Sequence, residues 1–225
     1  LPHLDKQLLF RGRWKYRRGN LTEERYQRII KEEVEPALQS WLARSRKENL
    51  FTPKGIFGAF RCRASGDAVK IVSENGTEIG GFAFPRRRKA PRLCLSDFFS
   101  PDRDDVIVLW AATVGKKVSA LGKELFDSGS YREYWHLHGL SVELAEAAAD
   151  HLEGRIRRQI GLVSRGLRYS FGFPACPDLS QQTLLLNLIE AKRIGIGLTE
   201  NYLMVPEQSV SGILVHHPQA RYFVP

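Results

Sequence analysis

The stretch "RYSFGFPACPD", Arg168 to Asp178, gathers an arginine, three aromatics, a glycine and two prolines into eleven positions. Arg168 offers a planar fork of donors for a carboxylate or a phosphate. Tyr169, Phe171 and Phe173 offer ring faces to a flat base or a cation. Gly172 lets the backbone approach a ligand closely, and Pro174 and Pro177 lower the entropy lost on binding. The stretch lies between two helix-like segments and reads as a loop. Glu146, in "LAEAAAD", is the second unusual residue. It falls on the helix face opposite Leu137, Leu140, Leu144 and Leu152, and its alanine neighbours leave room for a cation or another backbone. Tyr222 and Phe223 add an aromatic pair near the end of the sequence. Taken singly, such aromatics are usually core plugs and such a glutamate is usually solvated. The combination is what points to a binding site.

No local catalytic motif accompanies these residues. "WAATVGKKVS" lacks the first glycine of a phosphate loop, with Trp110 in its place. "GIGLTE" lacks the third glycine of a dinucleotide fingerprint, and "SVSG" the leading glycine of a nucleophile elbow. His136 and His138 are two apart on a helix, and His216 and His217 adjoin on an expected strand, so neither pair converges on a metal. A specialised loop without catalytic machinery describes a binder that positions a reaction centred elsewhere.

The elements that must carry these residues follow from spacing. Thr22 is an N-cap for a helix reaching about Ser45, whose residues Tyr26, Ile29, Ile30, Val34, Leu38, Trp41 and Leu42 step by three and four. Pro36 should kink or split it. Residues 55–64 read as a strand, and "AVKIVSENGTEIGGFAF" as a hairpin turning on a type I′ Asn75-Gly76. "PRLCLSDFF" and "DDVIVLWAATVG" read as two more strands, the second central and covered on both faces. Helices are expected over Lys116 to Phe126, Tyr131 to Ile160, and "LSQQTLLLNLIEAKRIG", the last ended by Gly195. "GIGLTENYLMV" and "VSGILVHHP" close as strands. Blocks of helices and strands with hairpins indicate an α+β class and one domain.

At 225 residues with 43% hydrophobic and 26% charged residues, the chain has the composition of a soluble globular domain. No apolar run is long enough to span a bilayer, so no membrane partner is expected. Three cysteines without CxxC spacing exclude a disulfide scaffold or zinc ribbon and point to a reducing, cytoplasmic setting. "NGT" at Asn75 then reads as a turn. A net charge of +9 favours an anionic partner. Its densest clusters are "PRRRK" (Pro85 to Lys89) and "FRGRWKYRR" (Phe10 to Arg18), but no RNA-recognition pattern accompanies them and nucleic acid is not the expected partner.

The order "LAEAAADHLEGRIRR", "RYSFGFPACPDL", "IGIGLTENYLMVP", "SVSG", "HHPQARYF" resembles the activation domain of cobalamin-dependent methionine synthase, with weaker echoes in "LDKQLLFRGRW", "TPKGIFGAF", "LCLSDFF" and "AATVG". The likeness covers essentially the whole chain. It implies a C-shaped α+β single domain, residues 1–225, on a twisted antiparallel sheet flanked by helices. The missing initial methionine fits excision from the C-terminus of a larger chain. The implied activity is reactivation: S-adenosylmethionine is bound and positioned for reductive methylation of cob(II)alamin held by the cobalamin-binding module, with flavodoxin or a similar carrier as electron donor. The domain would then be part of a methyltransferase without being catalytic by itself. By motif, Arg168 would pair with the ligand's carboxylate, and Asp5 and Glu146 would face its ammonium end. Ser170, Gly172 and Phe173 would meet the nucleoside, with Tyr222 and Phe223 packing near it. The chain departs from the family pattern at Phe173 (a tyrosine in the family), Val205 (a tryptophan), Val142-Glu143 (an Asp-Arg pair) and Leu162 (an acidic residue). Two other readings remain open from sequence: a free-standing reactivation partner of another corrinoid protein, and a basic RNA-binding or scaffold module that has lost the ligand.

Overall fold

The computed structural model describes residues 4–161 and 166–225. Thr22 caps the first helix, its side chain accepting the Arg25 N–H at 3.3 Å. Helix α1 (Glu23–Ile29) passes through a π-helical stretch, Ile30–Val34, into α2 (Glu35–Glu48). Pro36 falls in the first turn of α2, directly after the π-helical turn, where the regular i→i−4 ladder is already interrupted. The wider π turn precedes it, so the chain is split there without being stopped. Tyr26, Val34, Leu38 and Trp41 are buried. Thr22→Ala should lower stability by about 1 kcal/mol, readable as a fall of about 2–4 °C in the thermal midpoint.

Strands β1 (Lys54–Ser65), β2 (Ala68–Val72) and β3 (Glu78–Ala83) form an antiparallel meander. Its second turn is not the expected type I′. Only Gly76 has positive φ (+85°), and the loop is closed by Ser73 N–H to Thr77 O and Gly76 N–H to Ser73 O, both 2.9 Å. The Asn75 carboxamide oxygen accepts the Thr77 N–H, which favours this wider loop. "PRLCLSDFF" is also not a strand. It holds a 3₁₀ turn, Leu95–Phe98, in which Asp97 accepts both the Cys94 N–H and the fork of Arg86, all at 2.8 Å. Part of the basic cluster at Pro85 to Lys89 is therefore structural.

The continuous apolar run becomes β4 (Asp105–Thr113). Helices α3 (Lys117–Asp127) and α4 (Tyr131–Gln159) follow. Residues 168–170, read as loop, lie in strand β5 (Leu167–Ser170). The expected helix after it is broken into a 3₁₀ turn, α5 (Gln182–Leu188), and a second 3₁₀ turn, Ala191–Ile194. Glu190 at φ +52° makes the break, and Gly195 at φ +83° ends the segment as expected. "GIGLTENYLMV" is no continuous strand: Tyr202 at φ +60° turns it into a two-residue ladder, β6 (Gly197–Leu198) with β7 (Met204–Val205). Strand β8 (Ser209–Val215) ends before the two histidines. His216 Nε2 lies 2.7 Å from the Asp105 carboxylate, and the His217 ring faces Phe98.

The main sheet runs β3-β2-β1-β4-β8-β5, antiparallel at every pairing. β4 is covered on both faces. Val108, Trp110 and Ala112 pack with Ala149, Leu152 and Ile156 of α4. Ile107, Leu109 and Ala111 pack with Leu185, Leu186 and the loop residues Phe171 and Cys176. The three cysteines are buried, and burial pushes the Cys62 and Cys176 thiols up to about 12, so both stay neutral core groups. The first half of α4 packs instead on the opening π-helical segment, Leu8–Arg13, and on α3. This is an α+β domain. Among the described residues, no helix is long and apolar enough to cross a membrane.

Candidate functional site

Four pieces of chain meet beside the α4 face of the sheet edge. The first is the opening segment. The Asp5 carboxylate accepts the Leu8 N–H at 2.9 Å, starting the helical turn that carries Arg13 and Trp14. Trp14 stacks on His136 at 4.4 Å and donates Nε1–H to the His136 carbonyl at 2.9 Å. Gly139 makes room, since a Cβ there would sit 2.8 Å from the Trp14 ring and 2.9 Å from Arg13. Arg13 then reaches Glu143 of α4 at 2.6 Å, and Glu143 is only 3% exposed.

The second piece is α4, which places Glu143, Glu146, Asp150 and Glu153 at successive intervals of three and four. These are the steps of one helix face. The third is β5. Its register sets Arg168 opposite Leu214 and Ser170 opposite Gly212, so both point towards α4 and Tyr169 points into the other core layer. Arg168 lies between sheet and helix. Its guanidinium sits 5.2 Å from the Trp110 ring, and its Nη2 is 3.1 Å from Glu146 and 3.1 Å from Asp150, with Glu153 3.7 Å from Nε. Its Nη1 and the Trp110 Nε1 are buried without a hydrogen-bond partner among the described residues.

The fourth piece is the end of the sequence, which folds back along β5. Tyr169 Oη–H donates to the Arg221 carbonyl at 2.8 Å, and Tyr222 Oη–H donates to the Arg168 carbonyl at 3.0 Å. The two rings lie 5.5 Å apart. This occupies an edge-strand carbonyl that would otherwise be open.

Together these pieces enclose a groove of about 750 Å³, within the range that holds a small-molecule ligand. Asp5, Glu146, Arg168, Ser170, Phe173, Tyr222 and Phe223 all line it. Gly172 is not among the lining residues. Its φ of +88° serves a turn in which its N–H donates to the Cys176 carbonyl at 2.9 Å. That turn holds Phe173 out at the rim, 60% exposed. Arg13, Glu143 and Asp150 also line the groove and were not among the expected residues. The regular spacing of the acids of α4 was the signal that could have found Glu143 and Asp150; Arg13 had no local signal of its own.

Burial dominates the electrostatics. It pushes the Glu146 carboxyl above the ordinary carboxylate value; Arg168 and Arg13 oppose this, and Asp150 and Glu143 reinforce it. The Tyr169 and Tyr222 hydroxyls are likewise pushed up, chiefly by burial. The groove thus holds two cationic side chains against four carboxylates, with apolar rings along one side. Of the family departures, Glu143 takes part as the partner of Arg13. Val205 is exposed on β7, and Leu162 lies outside the described residues. Among the described residues, no group of three His, Cys, Asp or Glu side chains could hold a metal ion.

Comparison with known proteins gives the family and the fold. The chain is 31% identical to the methionine synthase of Mycobacterium tuberculosis and 30% identical to that of Mycobacterium leprae, over 98% of its own length in each case. It spans about a fifth (21%) of those relatives. Among solved structures it is similar to the MetH reactivation domain bound to AdoHcy, with a TM-score of 0.77 and 26% identity over 88% of this chain and 71% of that one. The family model for the vitamin B12 dependent methionine synthase activation domain matches residues 10–224. A groove-bearing α+β domain matched from its opening segment to its last aromatic residues, this chain belongs to the vitamin B12 dependent methionine synthase activation domain family.

Proposed function

We propose that the groove binds S-adenosylmethionine and presents its methyl group to cobalamin held by the cobalamin-binding module of a methionine synthase, as the reactivation step of that enzyme. The observation that carries this reading is the meeting of Arg168, Glu146, Asp5 and the Tyr222-Phe223 rings around one groove of about 750 Å³. The AdoHcy in the similar solved domain supports it. Arg168 suits the ligand's carboxylate, Asp5 and Glu146 its ammonium, and Ser170, Phe173, Tyr222 and Phe223 its nucleoside. Gly172 contributes by holding the turn.

The chemistry asks for orientation more than for proton transfer. Cobalamin held by the partner module, supplied with one electron by flavodoxin or a similar carrier, would be the methyl acceptor. The chain's part is to hold the sulfonium with its methyl group towards that module, so that the C–S bond can break and S-adenosylhomocysteine is left in the groove. No proton moves, which accounts for a site without a general acid or base. The chain's own residues bind, orient and exclude water. The test is a calorimetric titration with S-adenosylmethionine, followed by remethylation of cob(II)alamin when the cobalamin module and a reductant are supplied. A folded protein that binds no S-adenosylmethionine, even with that module present, overturns the reading.

A pH dependence follows. The Glu146 carboxyl is raised in the free protein, and an ammonium placed beside it favours the ionised form. Binding therefore releases a proton, and affinity rises as pH climbs through the raised value of the free carboxyl, then levels off above it. Titrations in buffers of different ionisation heat read the released proton directly. Glu146→Gln should flatten the profile.

A further inference from the structure

We propose that Asp150 is a specificity-determining residue: it occupies the groove-facing side of Arg168 as a built-in stand-in for a ligand carboxylate, which an incoming ligand must displace. This rests on the reading of the groove as an S-adenosylmethionine site.

The three carboxylates around Arg168 are not held alike. Glu146 is partly buried and accepts a hydrogen bond from Nη2 at 3.1 Å. Glu153 is anchored one turn further along α4 by Arg157, at 2.6 Å, and lies 3.7 Å from Arg168. Asp150 is the loose one. Its side chain is 47% exposed, it lines the groove, and its ion-pair partner is Arg168 at 3.1 Å, without hydrogen-bond geometry. A ligand carboxylate reaching Arg168 from the groove competes with Asp150, the more exposed of the two carboxylates at Nη2. Four carboxylates cannot share one guanidinium without strong repulsion, so the most weakly held must swing away into solvent. Half-exposed and on the open side, Asp150 can do so, whereas Glu153 is tied to Arg157. The groove therefore charges a penalty to any ligand whose carboxylate seeks Arg168, and only ligands with further contacts overcome it.

The opposite role is also readable from charge: Asp150 could attract the ligand's ammonium. The two roles predict opposite signs for one substitution. Asp150→Asn keeps the size and removes the charge, and at a half-exposed helix position it leaves the fold intact, which a thermal melt verifies. Wild type and variant are titrated with S-adenosylmethionine, S-adenosylhomocysteine and 5′-methylthioadenosine, which lacks the amino-acid end. The displacement role predicts that the first two bind about 10-fold tighter to the variant and that 5′-methylthioadenosine is unchanged. Asp150→Glu should restore the weaker binding. Weaker or unchanged binding of S-adenosylmethionine, or an equal shift for all three ligands, overturns the proposal. A wild type that binds none of the three overturns the groove reading itself, so the two failures separate.

Discussion

Replacement of Arg168 with alanine is expected to weaken S-adenosylmethionine binding by at least about 100-fold, the effect of truncating one partner of a desolvated, hydrogen-bonded charge pair. The side chain is 15% exposed and sits on Trp110 with Glu146, Asp150 and Glu153 around it. Its loss removes the fork for the ligand and leaves three carboxylates without their shared cation. The second consequence makes the variant less stable by about 2 kcal/mol, below the cost of breaking a fully buried pair because Asp150 and Glu146 retain some solvent. The deficit should shrink as pH falls and the carboxylates take up protons. Titration calorimetry and urea melts at two pH values separate the two effects. Arg168→Lys keeps the charge without the planar fork and should lie between wild type and alanine in affinity. Binding by a folded Arg168→Ala variant at wild-type strength would remove the arginine from the site.

Gly212→Ala is the other large effect expected. Gly212 pairs with Ser170 in the β5–β8 ladder. A Cβ there would fall on the Tyr169 carbonyl oxygen, 2.8 Å from the Trp110 ring and 2.9 Å from the Ser170 Cα. Two of these neighbours are backbone and cannot rotate away. Overpacking of this kind costs about 3 kcal/mol, and relief comes only by lifting β5 off β8. Since Arg168 and Ser170 ride on β5, binding should fail together with stability. Gly197→Ala is the control, because nothing lies within 4 Å of a Cβ there and its φ is ordinary. Urea midpoints compare the two. A Gly212→Ala midpoint equal to that of Gly197→Ala would show that β5 adjusts freely.

Much of this architecture was legible where local rules and tertiary packing agree. Thr22 caps its helix, the apolar run of β4 is central, and α4 runs as its periodicity indicates. Errors fall where a side chain competes with the backbone pattern. Asp97, bonded to both Cys94 and Arg86, curls "PRLCLSDFF" into a 3₁₀ turn. The Asn75 carboxamide turns the expected two-residue hairpin into a wider one. Arg168 was legible as a fork but not as part of a strand, because β5 is four residues long and its partner β8 lies some forty residues further on. The groove residues that were missed, Arg13, Glu143 and Asp150, take part in pairings between separate elements, Arg13 with Glu143 and Asp150 with Arg168. Only the acidic spacing of α4 was visible locally.

The groove takes its walls from Asp5 at one end of the sequence, Val224 at the other, and helix and strand residues between. Assembling it brings residues from both ends of the described sequence to one surface, a strongly non-local step. No fragment lacking either end carries the complete surface. A ligand held there therefore does not stabilise a local piece that can open by itself. At a hundred times its dissociation constant it adds about 2.7 kcal/mol to the stability of the assembled groove, and its occupancy reports that Asp5 and Val224 have been brought to the same surface.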